Sequence, residues 1–317
     1  MSSEFALIAR YFTPGVSHTV VAGGDDAALL APAAGRQLAV TTDMLVEGIH
    51  FLAGADPESL GHKTLAVNLS DLAAMGAQPR WAFLAMALPD ADDEWCEAFS
   101  RGLLALARRF DVDLAGGDTT KGPRNLCVTA IGEVAPDRAL RRSAARIGDD
   151  IYVSGCTGEA AFGLRTYRAA TGAHSVDVQH CRCRLDRPEP RVSLGARLAG
   201  VARAAIDVSD GLLADLGHVC EASNAGAELE WDRLPHSSAL GTLSPEDRAA
   251  AVLGGGDDYE LIVTAPERSR EAMSRIASES SVALTRIGRM VEGPGVRVFD
   301  RSGRVMNASR GGYDHFG

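Results

Sequence analysis

The chain has 317 residues, 46% hydrophobic and 23% charged, the balance of a folded globular protein with room for two domains of ordinary size. A formal net charge of -10 weighs against nucleic acid or an anionic membrane surface as the main partner, while leaving open small phosphates held through cations. The opening MSSEFALIARYF has an early acidic residue and no long apolar core, no apolar run reaches spanning length, and the six scattered cysteines form no CxxC pair; a cytoplasmic protein with reduced thiols is expected.

Glu4 to Phe12 reads as a short amphipathic helix, followed by a Gly23-Gly24-Asp25-Asp26 turn. Leu38 to Thr42 reads as a strand ending in Asp43, and a polar loop through His50 leads to the next helix. That helix runs from Asp56-Pro57, an N-cap and first helical residue, to the stop at Gly76 with Pro79 beyond. Leu60, Val67 and Ala74 share one face while Leu65, Leu69 and Leu72 cover much of the rest, the mark of a buried helix. Asp71 lies near its C-terminal end, where the dipole disfavours negative charge, so something positive must compensate it; a hydrogen-bonded or Arg-paired core carboxylate is the structural reading, and a bound cation is the functional one, since other aspartates accompany it. Gly61-His62-Lys63-Thr64 imitates the tail of a phosphate-binding loop but lacks the glycines before it, and reads as helix surface.

Trp81 to Leu88 reads as a strand buried on both faces, and Asp92 to Phe110 as a helix with Trp95, Phe99, Leu103 and Leu106 inward. Strand Asp111 to Ala115 then runs into Gly116-Gly117-Asp118-Thr119-Thr120, and Leu126 to Val134 is a further strand. The Arg-rich loop from Arg138 to Asp150 marks a boundary, with domains expected over 1–143 and 144–317. In the second half we read strand Ile151 to Ser154, a helix from about Glu159 to Ala170, no assignable element over Gly172 to Arg184, and a helix from Arg187 to about Ala202. Strand Ala204 to Val208 delivers Ser209-Asp210-Gly211 to a helix ending at Ser223, Ala227 to Trp231 is a strand, and Ser244-Pro245-Glu246-Asp247 starts a helix that ends at Gly254. Asp257-Asp258, strand Tyr259 to Thr264, helix Glu267 to Ser280 and strands near Ile287 and at Val296 to Phe299 precede a glycine-rich tail holding Tyr313. GGDDAALL and GGDDYELI, and SDLAAMG and SDGLLADLG, are echoes compatible with an internal duplication or with chance likeness among Gly-Asp turns.

A recurring event is a strand that stops at a small residue and then presents Asp: Asp26, Asp43, Asp118, Asp207 and Asp210, with Asp257 similar. One such Asp is a turn signal; several, with threonines nearby, make a set of hard oxygen donors suited to magnesium bridging phosphates. Asp25, Asp149, Asp150 and Asp258 read as turn residues outside the site. Thr41 and Thr42 cannot both point to one face of a strand, because side chains alternate.

The ordered run GDDAALL, TTDMLVEGIHF, LAVNLSDLAAMGAQP, GGDTTKG, LRRS, IDVSDGLLADLGH, GGGDDYEL and GYDHF closely resembles the thiamine-monophosphate kinase family over nearly the whole chain. The resemblance implies an α/β (α+β) fold of two domains, the N-terminal mixed sheet forming a barrel across a homodimer and the C-terminal sheet flanked by helices. Residues 1–143 would bind ATP and metal and dimerise, and 144–317 would complete the nucleotide and substrate site. It also implies ATP-dependent phosphorylation of thiamine monophosphate to thiamine diphosphate, with Mg2+ as cofactor and no nucleic-acid or membrane partner. By motif, the magnesium ligands would be Asp26, Thr41, Thr42, Asp43, Asp71, Asp118, Asp207 and Asp210. Gly117, Asp118, Arg142 and Ser209 would hold the nucleotide, and His50, Asp257 and Tyr313 the thiamine phosphate. Some members have Glu where this chain has Asp257. The acceptor phosphate oxygen is already ionised, so no side chain is assigned as catalytic nucleophile or base and transfer is expected to be direct. The alternatives are another ATP-using member of the superfamily, or a nucleotide or metal sensor on the same scaffold. His50 as a loop cap, Arg142 as part of a solvated basic loop and Tyr313 as a packing residue are the structural readings of those three.

Overall fold

The computed structural model describes residues 4–169 and 175–306. The chain divides into two compact units, Met1–Leu72 with Ala77–Pro136, and Ala73–Gly76 with Asp137–Gly317.

The first unit contains α1 (Glu4–Tyr11), the short antiparallel pair β1 (Thr19–Val21) and β2 (Leu29–Leu30), β3 (Gln37–Val46), α2 (Pro57–Ala74), β4 (Gln78–Leu88), α3 (Asp93–Arg109), β5 (Asp113–Lys121) and β6 (Asn125–Val134). Its main sheet has the order β3-β6-β4-β5. Only β4 and β5 are parallel, as the crossover through α3 requires. Helix α2 starts where the Asp56 side chain accepts from the Ser59 N–H at 2.8 Å. It stops where Gly76 turns left-handed and the Ala77 N–H reaches back to the Leu72 carbonyl at 2.9 Å. Helix α3 is capped by Asp92, which accepts from Glu94 and Trp95, and it buries Cys96, Phe99, Leu103 and Leu106. The two helices touch through glycine: a Cβ on Gly61 would strike the Phe99 carbonyl, and one on Gly102 the Glu58 carbonyl. The segment Gly61 to Thr64, expected at the surface, is buried, because α2 is covered on nearly every side.

Strand β3 separates two chemistries. Thr41, Asp43 and Leu45 turn toward α2, while Leu38, Val40, Thr42 and Met44 alternate onto an open face with Val40 61% exposed. Two expected strand ends are not ends. β3 continues past Asp43 to Val46, locked in an unbroken ten-residue antiparallel register with β6, and β5 runs through the Gly116-Gly117-Asp118-Thr119 motif to Lys121.

The second unit contains β7 (Asp150–Ser154), α4 (Glu159–Ala169), α5 (Val176–Asp186), α6 (Val192–Leu198), β8 (Ala204–Asp207), α7 (Leu212–Ser223), β9 (Gly226–Glu230), α8 (Pro245–Gly254), β10 (Leu261–Ala265), α9 (Arg270–Ser280), β11 (Leu284–Val291) and β12 (Gly295–Phe299). Its six strands are ordered β12-β9-β11-β7-β10-β8. β7 and β10 are buried throughout, and Ile151, Val153, Ile206, Leu216, Val219, Leu229, Ile262 and Ile287 form much of the core. The unassigned stretch before Arg184 contains α5, capped by Ser175 and burying Val178, Cys181 and Leu185. The helix expected from Arg187 begins only at Val192, after Pro188 and Pro190. Asp149 and Asp150 are buried ion-pair partners of Arg203 and of Arg270 and Arg286, not solvated turn residues.

Candidate functional site

In the first unit the Thr41 hydroxyl donates to Asp71 Oδ2, which fixes Asp71 against β3. One residue pair along, the Asp43 N–H donates to Asn68 Oδ1 at 3.1 Å, and Asn68 is itself wholly buried on α2. Burial and the like charge of Asp71 push the Asp43 carboxyl up to about 7. Two carboxylates and a hydroxyl thus stand together on hard oxygen, in a place where ionising both is costly unless a cation joins them.

Thr42 and Asp118 lie elsewhere. Thr42 shares a hydrogen bond with Thr129 at 2.9 Å on the open face, and the register aligns Met44, Cys127, Ala85 and Asp118 on that same face. Asp118 also lines a cavity of about 330 Å³ at the β5 edge, together with Gly24, Asp26, Gly117, Ile8 and Phe12. The structure therefore brings Asp26, Gly117 and Asp118 together, and separately Thr41, Asp43 and Asp71. A side chain at Gly117 would run into the Leu84 carbonyl, so only glycine keeps that wall flat. His50 Nδ1 accepts from the Val46 N–H at 3.0 Å, which closes the turn after β3.

In the second unit Asp207 ends β8 and is buried, while Ser209 and Asp210 occupy the turn into α7. The N–H groups of Ser209, Asp210 and Gly211 all donate to Asp215 Oδ2, at 3.0, 3.1 and 3.1 Å. Burial, then the charge of Asp210, push Asp215 up to about 7 against the pull of those donors. Asp257 is tied to this turn, its N–H donating to the Ser209 carbonyl at 2.9 Å. Arg142 is exposed in a short 3-10 turn whose carbonyl accepts from the Ser223 hydroxyl at 2.7 Å. Tyr313 lies outside the described residues.

Sequence reasoning missed Asp215 and Asn68, and took Asp258, which is buried, for a turn residue. Asp215 had a signal, as the lone charge in an apolar stretch of α7. Asp258 had none: it is buried and accepts from the N–H groups of Gly158 and Ala160, far away in sequence. Among the described residues no three His, Cys, Asp or Glu side chains converge on one metal position.

The chain matches the family models of the AIR synthase related protein, N-terminal domain over residues 24–134 and C-terminal domain over residues 147–301. It is 44% identical to the thiamine-monophosphate kinase of Escherichia coli strain K12, over 99% of this chain and 98% of that protein. A crystal structure of thiamine-monophosphate kinase from Stenotrophomonas maltophilia K279a superposes with a TM-score of 0.85 at 49% identity, covering 91% of this chain and 92% of that one. The structure of AaThiL complexed with AMPPCP and TMP gives 0.79 at 30% identity, covering 90% and 89%. With near-complete coverage on both sides and both family domains in order, the chain belongs to the thiamine-monophosphate kinase family.

Proposed function

We propose that this chain transfers the terminal phosphoryl group of ATP to thiamine monophosphate, giving thiamine diphosphate and ADP. The observation that carries the reading is the Thr41, Asp43 and Asp71 cluster, supported by relatives named for this activity and by one solved with AMPPCP, an ATP analogue that does not transfer its phosphate, and TMP. Both reactants are phosphates, so the principal barrier is bringing anions into line. A divalent cation, magnesium on this reading, supplies charge neutralisation at the phosphate oxygens when bound. Asp26, Thr41, Thr42, Asp43, Asp71 and Asp118 of the first unit, and Asp207 and Asp210 of the second, are the positions we assign to such cations, in small groups whose remaining positions suit water and phosphate oxygens. Gly117 and Asp118, with Ser209 and Arg142, would hold the nucleotide, Arg142 offering a planar fork to phosphate. His50, Asp257 and Tyr313 would contact the thiamine phosphate. No side chain is needed to take a proton from an acceptor oxygen that is already ionised, so the chain's work is binding, orientation and exclusion of water.

We also read the protein as a homodimer. The open face of the first unit's sheet carries Leu38, Val40 and Met44, all exposed, and a second copy of the same face would cover them. The six cysteines are unpaired and no helix among the described residues is long and apolar enough to cross a membrane, which fits a cytoplasmic enzyme.

The test is formation of thiamine diphosphate from ATP and thiamine monophosphate, followed by chromatography with and without magnesium. Magnesium-dependent product is the expected result. ATP binding without turnover of thiamine monophosphate would overturn the kinase reading in favour of a sensor.

A further inference from the structure

The loop between α8 and β10 departs from ordinary backbone at two side-chain-bearing positions. Asp257 has φ 65° and Tyr259 has φ 50°, both in the left-handed region that glycine occupies at no cost and that a bulky aromatic residue rarely adopts. Glycines stand immediately before, at Gly255 and Gly256, yet the left-handed positions carry an acid and a phenol. Such a conformation persists only where the surroundings over-determine it, and it clusters where a side chain must be aimed.

The surroundings here do so. The Asp257 N–H donates to the Ser209 carbonyl and the Tyr259 N–H to the Val208 carbonyl, each at 2.9 Å. Asp258, between them, points the other way into the interior and accepts from Gly158 and Ala160 at 2.6 and 3.2 Å. A Cβ on Gly256 would overlap the Ser209 carbonyl, so the two loops meet backbone to backbone. Within this clamp Tyr259 is 7% exposed and its hydroxyl donates to Asp257 Oδ1 at 3.0 Å. An aspartate with one oxygen held by a phenol has lost its side-chain freedom before any ligand arrives, and the loss need not be met again on binding.

We propose that Tyr259 is a positioning residue, which aims the Asp257 carboxylate at the ring portion of the phosphorylated acceptor. The inference rests on the reading of Asp257 as a substrate contact and deepens it. A carboxylate does not pair directly with a phosphate; on thiamine monophosphate its complements are the thiazolium cation and the amino group of the pyrimidine. Tyr259 touches neither and acts through Asp257.

The experiment is steady-state kinetics of the full chain with each substrate varied in turn, for Tyr259→Phe, Asp257→Gly and the double variant. Glycine at 257 keeps the left-handed backbone, and phenylalanine at 259 removes only the hydroxyl. The hydroxyl's removal should raise KM for thiamine monophosphate about fivefold while KM for ATP and kcat stay within about twofold. Asp257→Gly should raise the same KM by about tenfold or more, and adding Tyr259→Phe to it should change nothing further. The proposal is overturned if Tyr259→Phe leaves KM for thiamine monophosphate unchanged, raises both KM values alike, or multiplies the effect of Asp257→Gly. Those outcomes leave Asp257 itself standing if its own variant is impaired. An unimpaired Asp257→Gly removes the substrate contact and the proposal together.

Discussion

Asp71 carries the sharpest single-residue expectation. It sits near the C-terminal end of α2, where the helix dipole opposes a negative charge, and it is held by the Thr41 hydroxyl beside a second carboxylate. Replacing it with asparagine relieves that repulsion while removing a charge from the proposed cation cluster. Asp71→Asn should therefore lower kcat by about a thousandfold or more with the melting temperature unchanged or raised. Near-normal turnover would reject Asp71 as a ligand. Asp43 adds a pH dependence with a definite sign. Its carboxyl, pushed up to about 7, holds a proton through much of the weakly acidic range and must lose it to bind a cation. Apparent magnesium affinity should then rise as pH increases through about 6 to 7 and level off above about 8. Magnesium titrations of the turnover rate at fixed pH values measure it, and Asp43→Asn should flatten the curve. A wild-type affinity independent of pH would remove Asp43 from the ligand set.

At the scale of elements, the contact of α2 with α3 places the site helix. Gly61 and Gly102 let each backbone lie against a carbonyl of the other helix, and neither position has room for a methyl group. Gly102→Ala improves helix propensity, yet the clash should win and destabilise the protein by about 1–3 kcal/mol in denaturant unfolding. A neutral or stabilising outcome would mean that α2 can shift without cost. The ends of α2 were legible in the sequence because Asp56-Pro57 and Gly76 act locally. The reach of β3 beyond Asp43 was not, because β6 decides it through a register that no local signal encodes. Helix α5 was hidden by its polar run around Val178, Cys181 and Leu185, whose spacing is helical but whose neighbours are charged. Among site residues, Asp43 is legible as an oxygen donor and Asp71 as a carboxylate in need of compensation, but their adjacency is set by the packing of α2 on β3. Asp215 escaped notice, and Asp258 reads as a mere turn residue, because their partners are backbone N–H groups, which every residue but proline possesses.

For the whole molecule, the open face of the first unit's sheet leads to an expectation about assembly. Val40 stands 61% exposed between Leu38 and Met44 on that face. Val40→Glu should leave the secondary structure intact and shift the protein from dimer to monomer in light scattering, at concentrations of about ten micromolar. A wild-type protein that is monomeric at those concentrations would reject the dimer reading outright.

The alternation of β3 has one more consequence. Thr41 and Asp43 reach one side of the sheet and Val40, Thr42 and Met44 the other, within five consecutive positions. Inserting or deleting one amino acid upstream in this strand would swap the two populations wholesale, sending carboxylate outward and valine against Asn68. Natural relatives should accordingly tolerate many changes of letter here but almost no change of length, so an alignment gap between 37 and 46 would identify a descendant that has given up both the acidic cluster and the greasy exterior at once.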